Sequence, residues 1–213
     1  MKAVIFDMDG VLVDSEHVIR EASKTVLKRY GVDAKDEDFT DFVGMGDGKF
    51  IGGAAGKHGL AYEPSMKDEV YKVYLEIVNA NVRRFPGVLP LLGFLHENGI
   101  TMAIASSSDL IKVRANIRAI GADEKMFKAI ITGSDVERKK PFPDIYLKAL
   151  DAIGGDPKES IVAEDAISGI KAGIAAGMRV AAVTTSFREP ELKAAGATWV
   201  FDDIYKISEI IGK

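Results

Sequence analysis

The chain has no cysteine and only three histidines, His17, His58 and His96, among its 213 residues. The first absence excludes disulfides, thiolate catalysis and cysteine-held metals, and the second leaves too few ligands for a multi-histidine metal site. Positive charge is not in excess either: Lys+Arg 28 against Asp+Glu 32 gives a formal net charge of −4. Nothing in that balance gathers nucleic acid or an anionic membrane surface. No apolar run reaches the roughly 18 residues that span a bilayer, and the longest, residues 88–95, is broken by Pro90 and Gly93. Met1-Lys2 leads straight into a strand pattern, so no signal peptide is expected. Internal repeats and low-complexity tracts are missing too. The expectation is a soluble, cytoplasmic protein whose partner is a small molecule; a monomer is expected as well. What remains is ordinary for a folded chain, 47% apolar and 28% charged, with length for one large domain or a medium one carrying a smaller.

Short β-branched apolar runs recur at residues 2–6, 101–105, 129–132, 160–163, 180–184 and 198–201. Their continuous apolar character fits strands covered on both faces. Between them lie segments of helical spacing at 110–120, 145–153 and 167–176; in the first, Leu110, Val113, Ile117 and Ile120 fall three or four apart, with Ser108 or Asp109 to cap and Gly121 to stop. Alternation of this kind predicts a doubly wound, Rossmann-like α/β fold with a mainly parallel sheet.

Residues 16–82 break the alternation. Val18, Ala22, Val26 and Leu27 mark one face of a helix that stops at Gly31. Met66, Val70, Val73, Tyr74 and Ile77 mark a later one, preceded by Pro64 and a capping box from Ser65 to Asp68. The expected organisation is a core of residues 1–14 and 85–213 with a small helical cap, 15–84, inserted after the first strand. The two connections would be 13–15 and 79–86.

In an open parallel sheet, ligands bind where loops leave the C-terminal strand ends. Asp7 and Asp9 follow the first predicted strand, Ser106 the second, Lys140 the third and Glu164-Asp165 the fourth. The two-residue spacing puts Asp7 and Asp9 on one side of an extended chain, and Gly10 lets the backbone turn. Each has a blander reading: Asp9 as a turn residue, Asp165 as a helix cap, Lys140 as a solvated member of the run Arg138-Lys139-Lys140. Their convergence on one sheet edge favours a site. Carboxylates gathered there repel, by about 4 kcal/mol for a pair 4 Å apart at moderate effective dielectric, so a cation is needed. Oxygen donors without histidine or thiolate suit Mg²⁺, and such a site suits phosphoryl transfer.

The segments FDMDGVLVDS, IASSS, KKPFPDIY and AEDAISGIKAGIAAGM, in this order, resemble the four motifs of the haloacid dehalogenase superfamily, in its branch similar to β-phosphoglucomutase and small sugar-phosphate phosphatases. The resemblance implies that Asp7 is a nucleophile forming an aspartyl phosphate and that Asp9 is the general acid and then base. Mg²⁺ would be held by Asp7, the Asp9 main-chain carbonyl and Asp165, with Glu164 assisting directly or through water. Ser106, N–H groups around Ser107, and Lys140 would hold the phosphoryl oxygens. Members that cleave carbon–halogen bonds lack the second aspartate, so Asp9 argues for a phosphate ester. The mutase branch carries a cap histidine and a cap arginine. Here Ile19 stands where the histidine would align and Gly46 or Asp47 where the arginine would, with Lys49 close by as a substrate-binding candidate. Hydrolysis of a small phosphorylated metabolite is therefore expected, with a phosphosugar mutase and a non-enzymatic phospho-receiver domain as alternatives. The loop FVGMGDGKF also reads as a flexible linker. The cap is expected to close over the site about residues 13–15 and 79–86.

Overall fold

A computed structural model describes residues 1–211; positions 212 and 213, the last two of the expected core, lie outside the described residues. In chain order the elements are β1 (Ala3–Phe6), β2 (Val13–Asp14), α1 (Glu16–Arg29), α2 (Asp47–Lys57), α3 (Pro64–Asn81), β3 (Arg83–Arg84), α4 (Val88–Glu97) and β4 (Thr101–Ser106). They continue with α5 (Leu110–Ala119), β5 (Phe127–Thr132), α6 (Asp144–Ile153), β6 (Ser160–Glu164), α7 (Ile167–Ala175), β7 (Arg179–Val183), α8 (Glu189–Ala194) and β8 (Trp199–Phe201).

Six strands form one parallel sheet in the order β5-β4-β1-β6-β7-β8. Because side chains alternate along a strand, Val4 and Phe6 of β1 join α4 and α5 in one apolar layer. Ala3 and Ile5 join α6 and α7 in the other. Burial on both faces is why the strands read as unbroken apolar runs. The central position of β1 sets Asp7 between the ends of β4 and β6.

The run 88–95 forms α4, with Pro90 in the first turn, where a missing N–H costs no intrahelical bond. One local expectation differs from the structure. At α3, the capping box expected from Ser65 to Asp68 gives way to an earlier start, with Glu63 as N-cap and Pro64 at the first helical position.

The helical insert has its own apolar interior, built from residues such as Leu27, Phe39, Ile51 and Tyr74, and Ala115 of α5 belongs to the same cluster. Its two connections run side by side: β2 and β3 pair antiparallel, Val13 opposite Arg84 and Asp14 opposite Arg83. Among the described residues, no helix is long and apolar enough to cross a membrane.

Candidate active site

The Asp7 N–H donates to the Ala163 carbonyl at 2.9 Å, which fixes the exit of β1 against the end of β6. Gly10 follows at φ 84, and a Cβ there would lie 2.0 Å from Asp165 Oδ2. Only glycine lets this turn come so close to the aspartate. Lys140, in the loop between β5 and α6, donates at 2.7 Å both to Asp7 Oδ1 and to Glu164 Oε1. The Tyr146 hydroxyl donates to the same Glu164 oxygen at 2.9 Å. The other Glu164 oxygen accepts from the Asp165 and Ala166 N–H groups, both at 2.8 Å. Asp165 accepts from the Ser186 hydroxyl; the helix that follows starts after Ala166, so Asp165 is not its cap.

One oxygen from each of Asp7, Glu164 and Asp165 lies within 4.8 Å of the others, and all three residues are buried. Burial raises the Asp7 carboxyl to about 7, with Glu164 and Asp9 adding repulsion that Lys140 only partly offsets. Burial, then Glu164 and Asp7, push Asp165 well above the ordinary carboxylate range. Glu164 is also opposed by burial, but Lys140 and its four hydrogen bonds hold it below its usual value. With all three carboxylates ionised, the one ammonium would leave two negative charges in excess. A divalent cation cancels that excess, and oxygen donors suit a hard ion such as Mg²⁺, which is usually held by one or two carboxylates plus waters and phosphate. With both Glu164 oxygens already accepting two hydrogen bonds each, Asp7 and Asp165 are the side chains that fit as direct donors.

The Asp9 carboxylate faces elsewhere. β1 ends at Phe6, so the alternation expected to align Asp9 with Asp7 does not extend through it. One Asp9 oxygen accepts from Ser15 and, at 3.3 Å, from Asn116, with Lys112 also at 3.3 Å; the other accepts from Ser108 at 2.8 Å. Burial opposes the charge on Asp9, but Lys112, Ser15 and Ser108 together hold its pKa below the ordinary value.

These groups line a cavity of about 260 Å³ between sheet edge and insert, small even for a metabolite site. Ser107 and Ser108 line it, whereas Ser106 is fully enclosed and accepts from the Ser108 N–H at 3.2 Å. Lys49 is corrected: it is exposed, and Asp47 rather than Lys49 faces the cavity. Residues two apart on a helix do not share a face. Lys112, Tyr146 and Ser186 were not singled out from the sequence. The clearest signal for one of them was the four-residue step from Ser108 to Lys112, one helical turn from a motif serine.

A sequence profile of haloacid dehalogenase-like hydrolases matches residues 4–183. The chain belongs to this family. This haloacid dehalogenase-like hydrolase is 41% identical over 98% of its length to the chloroplastic protein Suppressor of Quenching 1 of Arabidopsis thaliana, of which it spans only 20%. It is 31% identical to a phosphorylated carbohydrates phosphatase of Thermotoga maritima, covering 92% of each chain. Its fold matches CbbY of Rhodobacter sphaeroides crystallised with phosphate (TM-score 0.87, 26% identity, 97% and 96% of the two chains). A mutant of that protein with xylulose-(1,5)bisphosphate matches at TM-score 0.85 and 25% identity, over the same shares.

Proposed function

We propose that this hydrolase is a Mg²⁺-dependent phosphatase of a small phosphorylated metabolite, acting through an aspartyl phosphate on Asp7. The observation that carries the reading is Lys140 bridging Asp7 and Glu164 beside Asp165, all four lining one small cavity. The phosphatase name of the Thermotoga maritima relative supports it.

Asp7 attacks phosphorus, and its carboxylate oxygen forms the bond as the leaving oxygen departs. Lys140, fixed by Glu164 and Tyr146, neutralises charge on the phosphoryl oxygens, and N–H groups near Ser107 and Ser108 complete the cradle. Mg²⁺, held by the Asp7 and Asp165 carboxylates and the Asp9 main-chain carbonyl, would let an anionic carboxylate approach an anionic ester. Asp9 protonates the leaving oxygen and then takes a proton from the attacking water. Ionised by Lys112, Ser15 and Ser108, it is set for that second half; carrying a proton in the first requires those contacts to loosen. Glu164 acts through Lys140 as a positioning residue. The helical insert, residues 15–84, acts as a cap that excludes bulk water.

The test is phosphate release from a panel of phosphorylated metabolites with Mg²⁺, by the wild type and Asp7→Asn. Loss of at least about 10³-fold is expected; full turnover by the variant removes covalent catalysis by Asp7. Isomerised phosphosugar without released phosphate would favour a mutase.

A further inference from the structure

The phosphatase reading fixes the reacting phosphate and leaves the organic part of the ester open. Two lysines, Lys112 and Lys140, are the only cations among the described residues that line the cavity. Lys140 is shared between Asp7 and Glu164. Lys112, 3% exposed, lies 3.1 Å from Asp47 and 3.3 Å from Asp9, and donates to Ser108 at 3.0 Å. Asp47 is itself anchored, because the Tyr71 hydroxyl donates to its other oxygen at 2.7 Å. The pair joins the two parts of the molecule: Asp47 stands in the first turn of α2 in the insert, Lys112 on α5 in the core.

The hydroxyls of Ser168, Thr185 and Ser186 lie on the core side of the cavity, and Ser15 is taken up by Asp9; the side chains that the insert otherwise turns to the cavity are apolar or acidic. Ile19, Phe42, Val43 and Phe50 come from the insert, Phe85 from its second connection and Phe187 from the loop after β7. Asp14 and Glu16 add carboxylates. Arg20 pairs with Glu16 and, at 3.6 Å, with Asp36 outside the lining. A second phosphate against this wall would be desolvated among rings and like charges, with both lysines already neutralised.

We infer that the substrate is a phosphomonoester whose organic part carries no second anionic group and presents apolar surface to the insert, and that Asp47 enforces this selectivity by occupying Lys112. The inference rests on the phosphatase reading for the reacting phosphate only. It separates this chain from the relative crystallised with a bisphosphate.

The experiment compares phenyl phosphate, glucose 6-phosphate and glucose 1,6-bisphosphate with Mg²⁺. Two readouts are used: kcat/KM of the wild type and Asp47→Asn, and calorimetric binding to Asp7→Asn, which needs no turnover. The bisphosphate is expected to fall about tenfold or more below glucose 6-phosphate in both readouts, and phenyl phosphate to bind more tightly than glucose 6-phosphate. Asp47→Asn, which leaves Lys112 with one carboxylate partner, Asp9, instead of two, narrows the mono-to-bisphosphate gap. Should that variant melt early, Lys112→Met serves instead and leaves the bisphosphate excluded. A bisphosphate accepted as well as the monophosphate, a gap unmoved by Asp47→Asn, or weaker binding of phenyl phosphate overturns the inference. If none of the three is hydrolysed while the binding order holds, the phosphatase reading falls and the selectivity stands.

Discussion

Asp7 is a carboxyl whose surroundings oppose its charge. Burial raises it from an ordinary 3.8 to about 7, so between those values the folded protein holds a proton that the unfolded chain releases. The contribution to stability is complete below the unfolded value and is lost as pH rises through the folded one. A cation bound there competes with that proton. Millimolar MgCl₂ is therefore expected to raise the melting temperature more at pH 8 than at pH 5, a range in which Asp9 and Glu164, both depressed, stay ionised. Equal increments at the two pH values would count against Asp7 as a ligand. Much of this site is legible in the sequence, because a parallel sheet must bring Asp7, Lys140, Glu164 and Asp165 to one edge. Lys112 is not. A lysine beside Val113 on an amphipathic helix reads as surface, and only the packing of α3 and α2 over α5 buries it. Lys49 misleads for the opposite reason: its charge suits a phosphate, but the start of α2 at Asp47 turns it outward.

Among the elements, α7 shows how helix and strand jointly set the site. It lies so close to the end of β6 that a Cβ on Gly169 would meet Glu164 Oε1 at 1.6 Å. Alanine is the better helix former by about 1 kcal/mol, yet at this position overpacking should cost about 1–3 kcal/mol and pull Glu164 away from Lys140. Gly169→Ala is thus expected to melt earlier and release phosphate more slowly. Gly93→Ala on α4, where the added methyl meets nothing within 4 Å, should stabilise by roughly 0.5–1 kcal/mol. Thermal melts of the two variants side by side check this, and a Gly169→Ala as stable as the Gly93 variant would refute the close approach. Element types are legible in the sequence because β-branched runs and 3.6-residue spacing are strong signals. Their ends are less so: β5 begins two residues before its expected start, since Phe127 and Lys128 lie on an edge strand where the apolar run is mixed.

At the scale of the molecule, the insert is joined to the core by one two-stranded ribbon, β2 with β3, and by side-chain contacts with α5, the Lys112–Asp47 pair among them. Closure about that ribbon should tighten both. Hydrogen exchange of the α3 and ribbon amides is expected to slow when Mg²⁺ and vanadate are added together; unchanged protection would argue for a lid that does not move. The interior of the insert is also not wholly its own. Ala115 belongs to its apolar cluster, and the buried Tyr74 hydroxyl donates to Asn116 on the same core helix. A chimaera that transplanted this insert into another enzyme without also exchanging α5 would strand that tyrosine and open a seam in the graft, so the two have to be swapped together.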